Sequence, residues 1–273
     1  MRWHFYLGLL MIALGEFLIF HPIQPFTNYL FFQCLWFGFI VTVDSIVYER
    51  KKRSLLVNNF PKFLFLLFIS ALFWWFFELI NFGRIQNWDY NAIAKPQWLM
   101  FSIAFSTIVP AVFESAELLM TTKFLKKVKM KKSWKITSFL LIALFLLGII
   151  IFSLLFLYPK YSFGLTWLST ILIIDPINYK LKFNSLLGLL KKKKLRLVLI
   201  LMFATLFCGF FWEFWNYWAP VKWIYNVPYV GFLKIFEMPL LGYIGYLPFG
   251  LELYVMYNFV IGVLGRKRLE YKF

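Results

Sequence analysis

Residues 36–56 read WFGFIVTVDSIVYERKKRSLL, and residues 167–187 read WLSTILIIDPINYKLKFNSLL. The two stretches match without a gap at a tryptophan, an aspartate, an isoleucine, a tyrosine and a closing Ser-Leu-Leu. The matched aspartates are Asp44 and Asp175. Because the aliphatic positions differ while these positions recur, the pattern predicts an internal duplication that keeps its polar groups.

Two further matches extend the duplication along the chain. Glu78-x-x-Asn81 followed by Trp88-x-Tyr90 recurs as Glu213-x-x-Asn216 followed by Trp223-x-Tyr225, and Pro110-x-x-x-Glu114 recurs as Pro248-x-x-x-Glu252. The distance between copies grows from 131 to 135 to 138 residues, and each increase falls in a connection. We therefore expect two units, residues 1–130 and 131–273.

The composition places both units in a membrane. The chain has 273 residues, of which 62% are hydrophobic and 23% aromatic, and its mean hydropathy is +0.74. A bilayer core is spanned by about 20 apolar residues. Eight such runs are present, at residues 3–20, 28–48, 63–82, 97–121, 136–157, 162–178, 195–217 and 236–262. The prediction is an all-α polytopic protein of eight transmembrane helices, arranged as two parallel four-helix repeats. The first run, which no cleavage-site pattern follows, is expected to be retained.

The positive charge indicates the orientation of these spans. Of 29 Lys and Arg residues, 24 are Arg2 or lie in four segments, 49–62, 122–137, 179–196 and the tail from Arg266. With eight spans these segments all fall on one side, which is the positive-inside pattern. We expect a multi-pass protein of the bacterial inner (cytoplasmic) membrane, with both termini cytoplasmic and with membrane lipids as partners. Nucleic-acid binding is disfavoured because the aromatic residues lie in the spans rather than among the lysines.

Cysteine and histidine give no cofactor signal. Cys34 and Cys208 lie in different spans at non-equivalent repeat positions, and the two histidines, His4 and His21, flank the first span. No His/Cys cluster has metal-ligand spacing, and no dinucleotide or phosphate-binding motif occurs. The sequence predicts neither a metal nor a cofactor.

Buried carboxyl groups are the candidate functional residues, because acids within a membrane are costly and usually functional. Helical spacing sorts the repeated polar residues by depth. An outer tier contains Glu78, Asn81, Glu213 and Asn216, and an inner tier contains Asp44, Asp175, Glu114 and Glu252. Structural roles are the alternative: the aspartates pair with nearby lysines, the asparagines cap helices, and Trp88, Tyr90, Trp223 and Tyr225 form an interfacial belt.

The second unit alone contains an interrupted segment. Residues 228–248 read PYVGFLKIFEMPLLGYIGYLP and include Glu237. Proline removes a backbone donor and clashes with the preceding turn, so one regular helix is not expected throughout. Interrupted helices point to binding sites in membrane proteins, which adds Glu237 to the candidates. The alternative is a proline kink satisfied by neighbouring helices.

These acids lie near the aromatic residues Trp74, Trp75, Trp212 and Trp215. Buried carboxyls of differing pKa carry out acid–base work, and aromatic faces stabilise cations. The leading hypothesis is an intramembrane acid–base enzyme acting on a lipid or isoprenoid. The alternatives are a proton-coupled transporter or carrier, and a non-catalytic membrane assembly subunit. The sequence leaves the oligomeric state open.

The strings FFWEFWNYW (210–218), KWIYNVPYVGF (222–232) and FEMPLLGYIGYLPF (236–249) resemble those of an uncharacterised family of bacterial polytopic integral membrane proteins. That resemblance covers nearly the whole chain and implies no activity. A weaker resemblance is to the small membrane-embedded lycopene cyclases, which are also short, duplicated, polytopic and built around Pro-x-Glu-type motifs. The Pro110–Glu114 and Pro248–Glu252 spacing departs from theirs, so no catalytic role is transferred.

Overall fold

The computed structural model describes residues 3–24, 26–91, 97–271 and 273. Arg2 and Lys272 of the C-terminal tail, which are among the 24 basic residues counted above, lie outside these residues. The described chain is mostly helical. Its α-helices are α1 (Trp3–Phe20), α2 (Phe26–Lys51), α3 (Leu55–Asn58), α4 (Phe60–Ile80), α5 (Gln97–Ser106), α6 (Ile108–Thr121), α7 (Ser138–Leu157), α8 (Pro159–Ser162), α9 (Thr166–Lys180), α10 (Leu186–Lys191), α11 (Leu195–Trp218) and α12 (Tyr246–Val263).

Seven helical stretches in the described residues are long and apolar enough to cross a membrane. They are Trp3–Phe20, Thr27–Lys51, Phe60–Ile85, Trp98–Thr121, Ser138–Leu157, Leu195–Trp218 and Leu240–Val263. The predicted sixth span, residues 162–178, contains instead a 3₁₀ turn and the 15-residue α9, which is shorter than the roughly 20 residues a span requires. The architecture is that of a helical membrane protein. The sixth predicted span, and with it the total of eight spans, stays a prediction.

The interrupted segment forms two short strands and a 3₁₀ helix. Strands β3 (Lys234–Ile235) and β4 (Met238–Pro239) pair antiparallel, and the 3₁₀ helix Leu240–Gly245 leads into α12. Pro248 is the third residue of α12, just as Pro110 is the third residue of α6. Both prolines are tolerated because the first turn of a helix leaves its N–H groups without intrahelical partners.

The core is continuous across the two halves of the chain. Trp36 on α2 is fully buried, and its ring centroid lies 5.0 Å from that of Trp212 and 5.2 Å from that of Trp215, both on α11. In the other direction, Trp167 on α9 lies 4.8 Å from Phe77 on α4. Each half therefore places a tryptophan against the long helix of the other half, which fixes the two halves together.

The basic segments meet at one end of the helices. The Ser133 hydroxyl donates to the Lys191 carbonyl, and Arg196 donates to carbonyls of Met120 and Thr122. At the same end Lys62 Nζ donates to the Glu270 carbonyl of the C-terminal tail. These hydrogen bonds to backbone carbonyls join the connection 122–137 to the connection 179–196, and the connection 49–62 to the tail.

A two-stranded ribbon joins the two halves at the opposite end. Strand β1 (Trp88–Tyr90) pairs antiparallel with β2 (Trp223–Tyr225). Trp88 lies opposite Tyr225, and Tyr90 lies opposite Trp223. Each tryptophan of one predicted copy therefore faces the tyrosine of the other, as a two-fold axis through the centre of the ribbon requires.

Candidate functional site

Beneath the ribbon lies an aromatic cavity of about 580 Å³, within the size range of small-molecule sites. Of the 32 described residues that line it, 14 are aromatic. Five are tryptophans: Trp74, Trp88, Trp167, Trp212 and Trp223. The remaining wall comes mainly from the start of α2, α5, the start of α9, the loop residues Val221, Lys222, Val227 and Val230, and the segment from Met238 to Phe249. The cavity is therefore formed by both halves of the chain.

On the side of the first half, Glu78 is fully buried behind this wall. Its Oε1 accepts hydrogen bonds from Trp74 Nε1 at 2.8 Å, Trp88 Nε1 at 3.1 Å and the Tyr90 hydroxyl at 2.7 Å. All three donors line the cavity. Their polar hydrogens are bound to Glu78, so the carboxyl group fixes the orientation of the rings that a ligand would contact.

Glu213 occupies the matching position in the second half and is also fully buried. Its Oε1 accepts from the Tyr225 hydroxyl at 2.8 Å and from the Tyr246 hydroxyl at 2.6 Å, and Trp223 Nε1 donates to the Tyr225 oxygen at 3.0 Å. Tyr225, Tyr246 and Trp223 line the cavity. Two carboxyl groups thus lie one residue behind the cavity wall, each behind hydroxyl groups.

One donor comes from a different element in each half. Trp74 precedes Glu78 by four residues, and Gly209 precedes Glu213 by four. A Cβ at Gly209 would lie 2.5 Å from the Tyr246 ring. The missing side chain therefore leaves the space in which Tyr246, from the start of α12, reaches Glu213. The interrupted segment of the second half supplies this donor directly.

The two asparagines hold the ribbon strands. Asn81 Nδ2 donates to the Trp88 carbonyl at 2.8 Å, and Asn216 Nδ2 donates to the Trp223 carbonyl at 2.9 Å. The Asn216 oxygen also accepts from Trp223 N–H, and the Asn81 oxygen accepts from Asn87 N–H. Each asparagine thus positions one ribbon strand. The tyrosine of that strand donates to the glutamate that lies one helical turn before the asparagine.

The hydroxyl groups on the ribbon remain protonated donors. Burial, reinforced by the charge of Glu78, raises the pKa of Tyr90 well above its usual value. Burial and Glu213 do the same to the pKa of Tyr225. Both shifts follow from the cost of placing a phenolate in an apolar environment beside a carboxylate.

Glu237 reaches the cavity through a lysine. Lys222 lines the cavity, and its Nζ lies 2.5 Å from Glu237 Oε1. The same ammonium is 3.3 Å from the Tyr217 carbonyl oxygen and 5.2 Å from the centroid of the Tyr217 ring. The pair is largely buried, so its two charges compensate each other at the edge of the site.

The inner-tier aspartates bind backbone and hydroxyl groups after their own helices. Asp175 accepts from Leu186 N–H at 2.6 Å and from Leu187 N–H at 2.9 Å. Asp44 accepts from Leu56 N–H at 2.8 Å and from the Ser54 hydroxyl at 2.8 Å. Each acid therefore satisfies the start of the short helix that follows it, α3 or α10.

The inner glutamates lie apart from the cavity. Glu114 accepts from the Tyr271 hydroxyl at 3.1 Å, and the same hydroxyl is 2.6 Å from Glu117, which pairs with Lys51 at 2.5 Å. Glu252 is fully buried, and within the described residues neither carboxyl oxygen has a hydrogen-bond partner. None of these acids lines the cavity.

The nine predicted site residues therefore divide into three groups. Glu78, Glu213, Asn81 and Asn216 are brought together beneath the ribbon, and Glu237 is joined to the cavity through Lys222. The inner tier does not form one site. Three polar cavity residues, Tyr246, Lys222 and Gln33, were not among the residues predicted from the sequence. The Gly209 gap opposite Trp74 was the available signal for Tyr246.

Comparison with protein-family models, with curated proteins and with solved structures finds no match to this chain. The two family resemblances therefore stay predictions. Within the described residues, no group of three or more His, Cys, Asp or Glu side chains is arranged to hold a metal ion. The function must be argued from the cavity itself.

Proposed function

We propose that this protein is an intramembrane enzyme that carries out acid–base chemistry on a lipid or isoprenoid. The observation that carries the proposal is the aromatic cavity with Glu213 behind it, joined to the cavity wall by Tyr225 and Tyr246. A lipophilic ligand fills such a space because its wall is mostly apolar. Leu241 and Ile244 line the cavity and are exposed on the apolar outer surface, which supports entry from the bilayer.

The chemistry uses a hydroxyl as the bridge between carboxyl group and ligand. The step starts from protonated Glu213 with its hydrogen bond to one tyrosine reversed, so that the carboxylic acid donates to the tyrosine oxygen and the tyrosine O–H points to the ligand. The proton of Glu213 then moves to the tyrosine oxygen while the tyrosine gives its own proton to one carbon of a C=C bond. The π electrons form the new C–H bond, and the adjacent carbon becomes cationic. Loss of a proton from a neighbouring carbon, back through tyrosine to Glu213, restores the enzyme. The product is an isomer of the substrate, and no redox partner is needed.

The cavity wall suits the charge that such a step creates. Five tryptophan rings surround the space, and tryptophan is the strongest aromatic partner for a cation. Several of the donors are hydrogen-bonded to Glu78 or Glu213, which places negative charge behind the rings. General acid–base catalysis of this kind contributes about 10²–10⁴-fold in rate, and the electrostatic environment adds to it.

The finer architecture belongs to the same proposal. Eight spans in two four-helix units, with both termini on the cytoplasmic side of a bacterial inner membrane, are supported by two observations. The Glu-x-x-Asn and Trp-x-Tyr contacts have the same sequence separations in both halves, and the basic connections meet at the end opposite the ribbon. Loops rich in lysine stay cytoplasmic.

The alternatives account less directly for the cavity. If the protein were an assembly subunit, its buried acids would be paired with backbone groups or lysines. Asp44, Asp175 and Glu117 are paired in this way, but an assembly role does not explain the cavity. A carrier is favoured by the buried acids outside the cavity, Glu114 and Glu252. A carrier, however, requires a polar route, whereas the wall near Glu78 and Glu213 is aromatic.

The test compares host membranes containing the wild type with membranes containing Glu213→Gln. High-resolution mass spectrometry of extracted lipids and pigments should show, in the wild type, a compound of unchanged elemental composition and altered retention time. Tyr246→Phe should lower its yield strongly because the hydroxyl bridge is lost. Tyr243→Phe is the matched control, since its hydroxyl binds the Ile235 carbonyl and does not line the cavity.

The membrane content of Tyr246→Phe and Tyr243→Phe must equal that of the wild type, so that a lower yield reflects lost chemistry rather than lost protein. Loss of the isomer in Tyr243→Phe as well would show that the effect is not specific to the Tyr246 hydroxyl. Identical lipid profiles for the wild type and Glu213→Gln would refute the enzyme proposal.

A further inference from the structure

The described wall of the cavity contains one charged side chain, Lys222. Its ammonium lies 2.5 Å from Glu237 and also donates to the Tyr217 carbonyl. A lysine whose charge is already matched by a carboxylate offers little attraction to a second anion. The cavity therefore has no free positive charge on its described surface with which to hold an anionic group.

The charged groups behind the wall favour the opposite sign. Glu78 and Glu213 lie directly behind the rings, and the faces of those rings carry negative partial charge. Gln33 also lines the cavity, and its buried Oε1 has no hydrogen-bond partner within the described residues. A carbonyl oxygen in this position accepts from a hydroxyl or ammonium group of a ligand.

We infer that the ligand of this cavity is a lipophile with an uncharged or cationic polar end, and that anionic lipophiles such as fatty acids and prenyl phosphates are excluded. This inference rests on the proposed function for the location of the site and specifies its substrate class. The physical reason is desolvation: an anion buried here loses water and finds aromatic faces, a carbonyl oxygen and two carboxyl groups in its place.

Three retinoids test the inference because they share one polyene body and differ at one end: retinylamine, retinol and retinoic acid. Each quenches tryptophan fluorescence on binding, and five tryptophans line the cavity. For the purified full-length protein at pH 8, we expect retinol and retinylamine to bind at least about tenfold more tightly than retinoic acid, a difference of about 1.4 kcal/mol. Equal affinity for retinol and retinoic acid would overturn the inference.

A charge variant tests the cause. Glu237→Gln removes the counter-ion of Lys222, so affinity for retinoic acid should rise until the preference for retinol falls to roughly threefold or less. Glu49→Gln removes a carboxylate from the exposed Lys52 pair and should leave the tenfold preference intact. An unchanged preference in Glu237→Gln would also count against the inference.

Binding in the cavity is separated from partition into detergent by filling the space. Gly245 lines the cavity, and a Cβ there would lie 3.7 Å from Trp167 Nε1, so Gly245→Leu should abolish the saturable quenching. Gly83→Leu is the matched control, because Gly83 is exposed and a Cβ there meets nothing within 4 Å. Absence of saturable quenching by all three retinoids in the wild type would refute the proposed lipophile site itself. Saturable binding without charge preference would refute only the substrate class.

Discussion

Replacing Asp175 or Asp44 by asparagine distinguishes two acids that look equivalent in sequence. Both oxygens of Asp175 accept from backbone N–H groups, of Leu186 and Leu187. Asparagine has one acceptor oxygen, so its NH₂ group would face one of these N–H groups at about the same separation, donor against donor. A buried amide without a partner costs about 1–3 kcal/mol, and Asp175→Asn should lose about that much stability.

Asp44→Asn should be milder because one of its partners is a hydroxyl. Ser54 donates to Asp44 Oδ2 at 2.8 Å, and a hydroxyl that rotates becomes an acceptor for the new NH₂ group. Leu56 N–H keeps its acceptor at Oδ1. We therefore expect Asp175→Asn to be less stable than Asp44→Asn by about 1–3 kcal/mol. At about 2–4 °C per kcal/mol, this is a difference in Tm of roughly 2–12 °C.

The assay is thermal unfolding in mild detergent, followed with a thiol-reactive fluorophore that reports exposure of the fully buried Cys208. A Cys34→Ser background removes the signal of the other, partly exposed thiol. Equal Tm values for the two asparagine variants, or a lower value for Asp44→Asn, would show that these carboxyls do not act as backbone acceptors in the way the hydrogen bonds indicate.

Two glycine variants probe how the helices α11 and α12 approach each other. Gly209→Ala places a methyl group 2.5 Å from the Tyr246 ring, and overpacking of this kind costs about 1–3 kcal/mol of stability. In a double-mutant cycle, Gly209→Ala should cost less unfolding free energy when Tyr246 is already replaced by alanine. Gly250→Ala brings a methyl group within 1.9 Å of Thr205 Oγ1 and should lower Tm further, since the helices must separate. Gly83→Ala, at an open position, should change Tm little in either experiment.

Much of the helical layout follows from apolar run length alone. The predicted run 195–217 agrees with α11 to within a residue at each end, because a long uninterrupted apolar segment has few other stable forms in lipid. The run 97–121 is divided at Thr107, because Pro110 has no backbone N–H to donate at the start of the second helix. The 162–178 run is only partly an α-helix, because the 3₁₀ turn Phe163–Leu165 comes before the start of α9 at Thr166. The local sequence does not show at which residue the turn after Pro159 ends and α9 begins.

The candidate site was predictable where its contacts are local. Glu78 and Tyr90 are 12 residues apart, as are Glu213 and Tyr225, so repeated spacing identified them together. The partners of Asp44 and Asp175 lie in the recurring Ser-Leu-Leu, whereas the structural alternative drawn from the sequence was pairing with nearby lysines. Tyr246 was missed because it reaches Glu213 from 33 residues away, through packing of α11 against α12. Such a contact depends on tertiary structure rather than on any local pattern.

The ribbon has a consequence for how this chain can be divided. Trp88 faces Tyr225 and Tyr90 faces Trp223. The two strands therefore pair through equivalent residues, tryptophan against tyrosine in both directions. That is the geometry of an isologous contact, in which one surface recognises its own equivalent. Two separate chains, each carrying one half, would possess the same complementary edges without any new contact. The covalent link between the halves keeps two differences in the cavity wall at a ratio of one to one: Tyr246 in place of Trp74 as a donor to glutamate, and the Lys222–Glu237 pair of the second half.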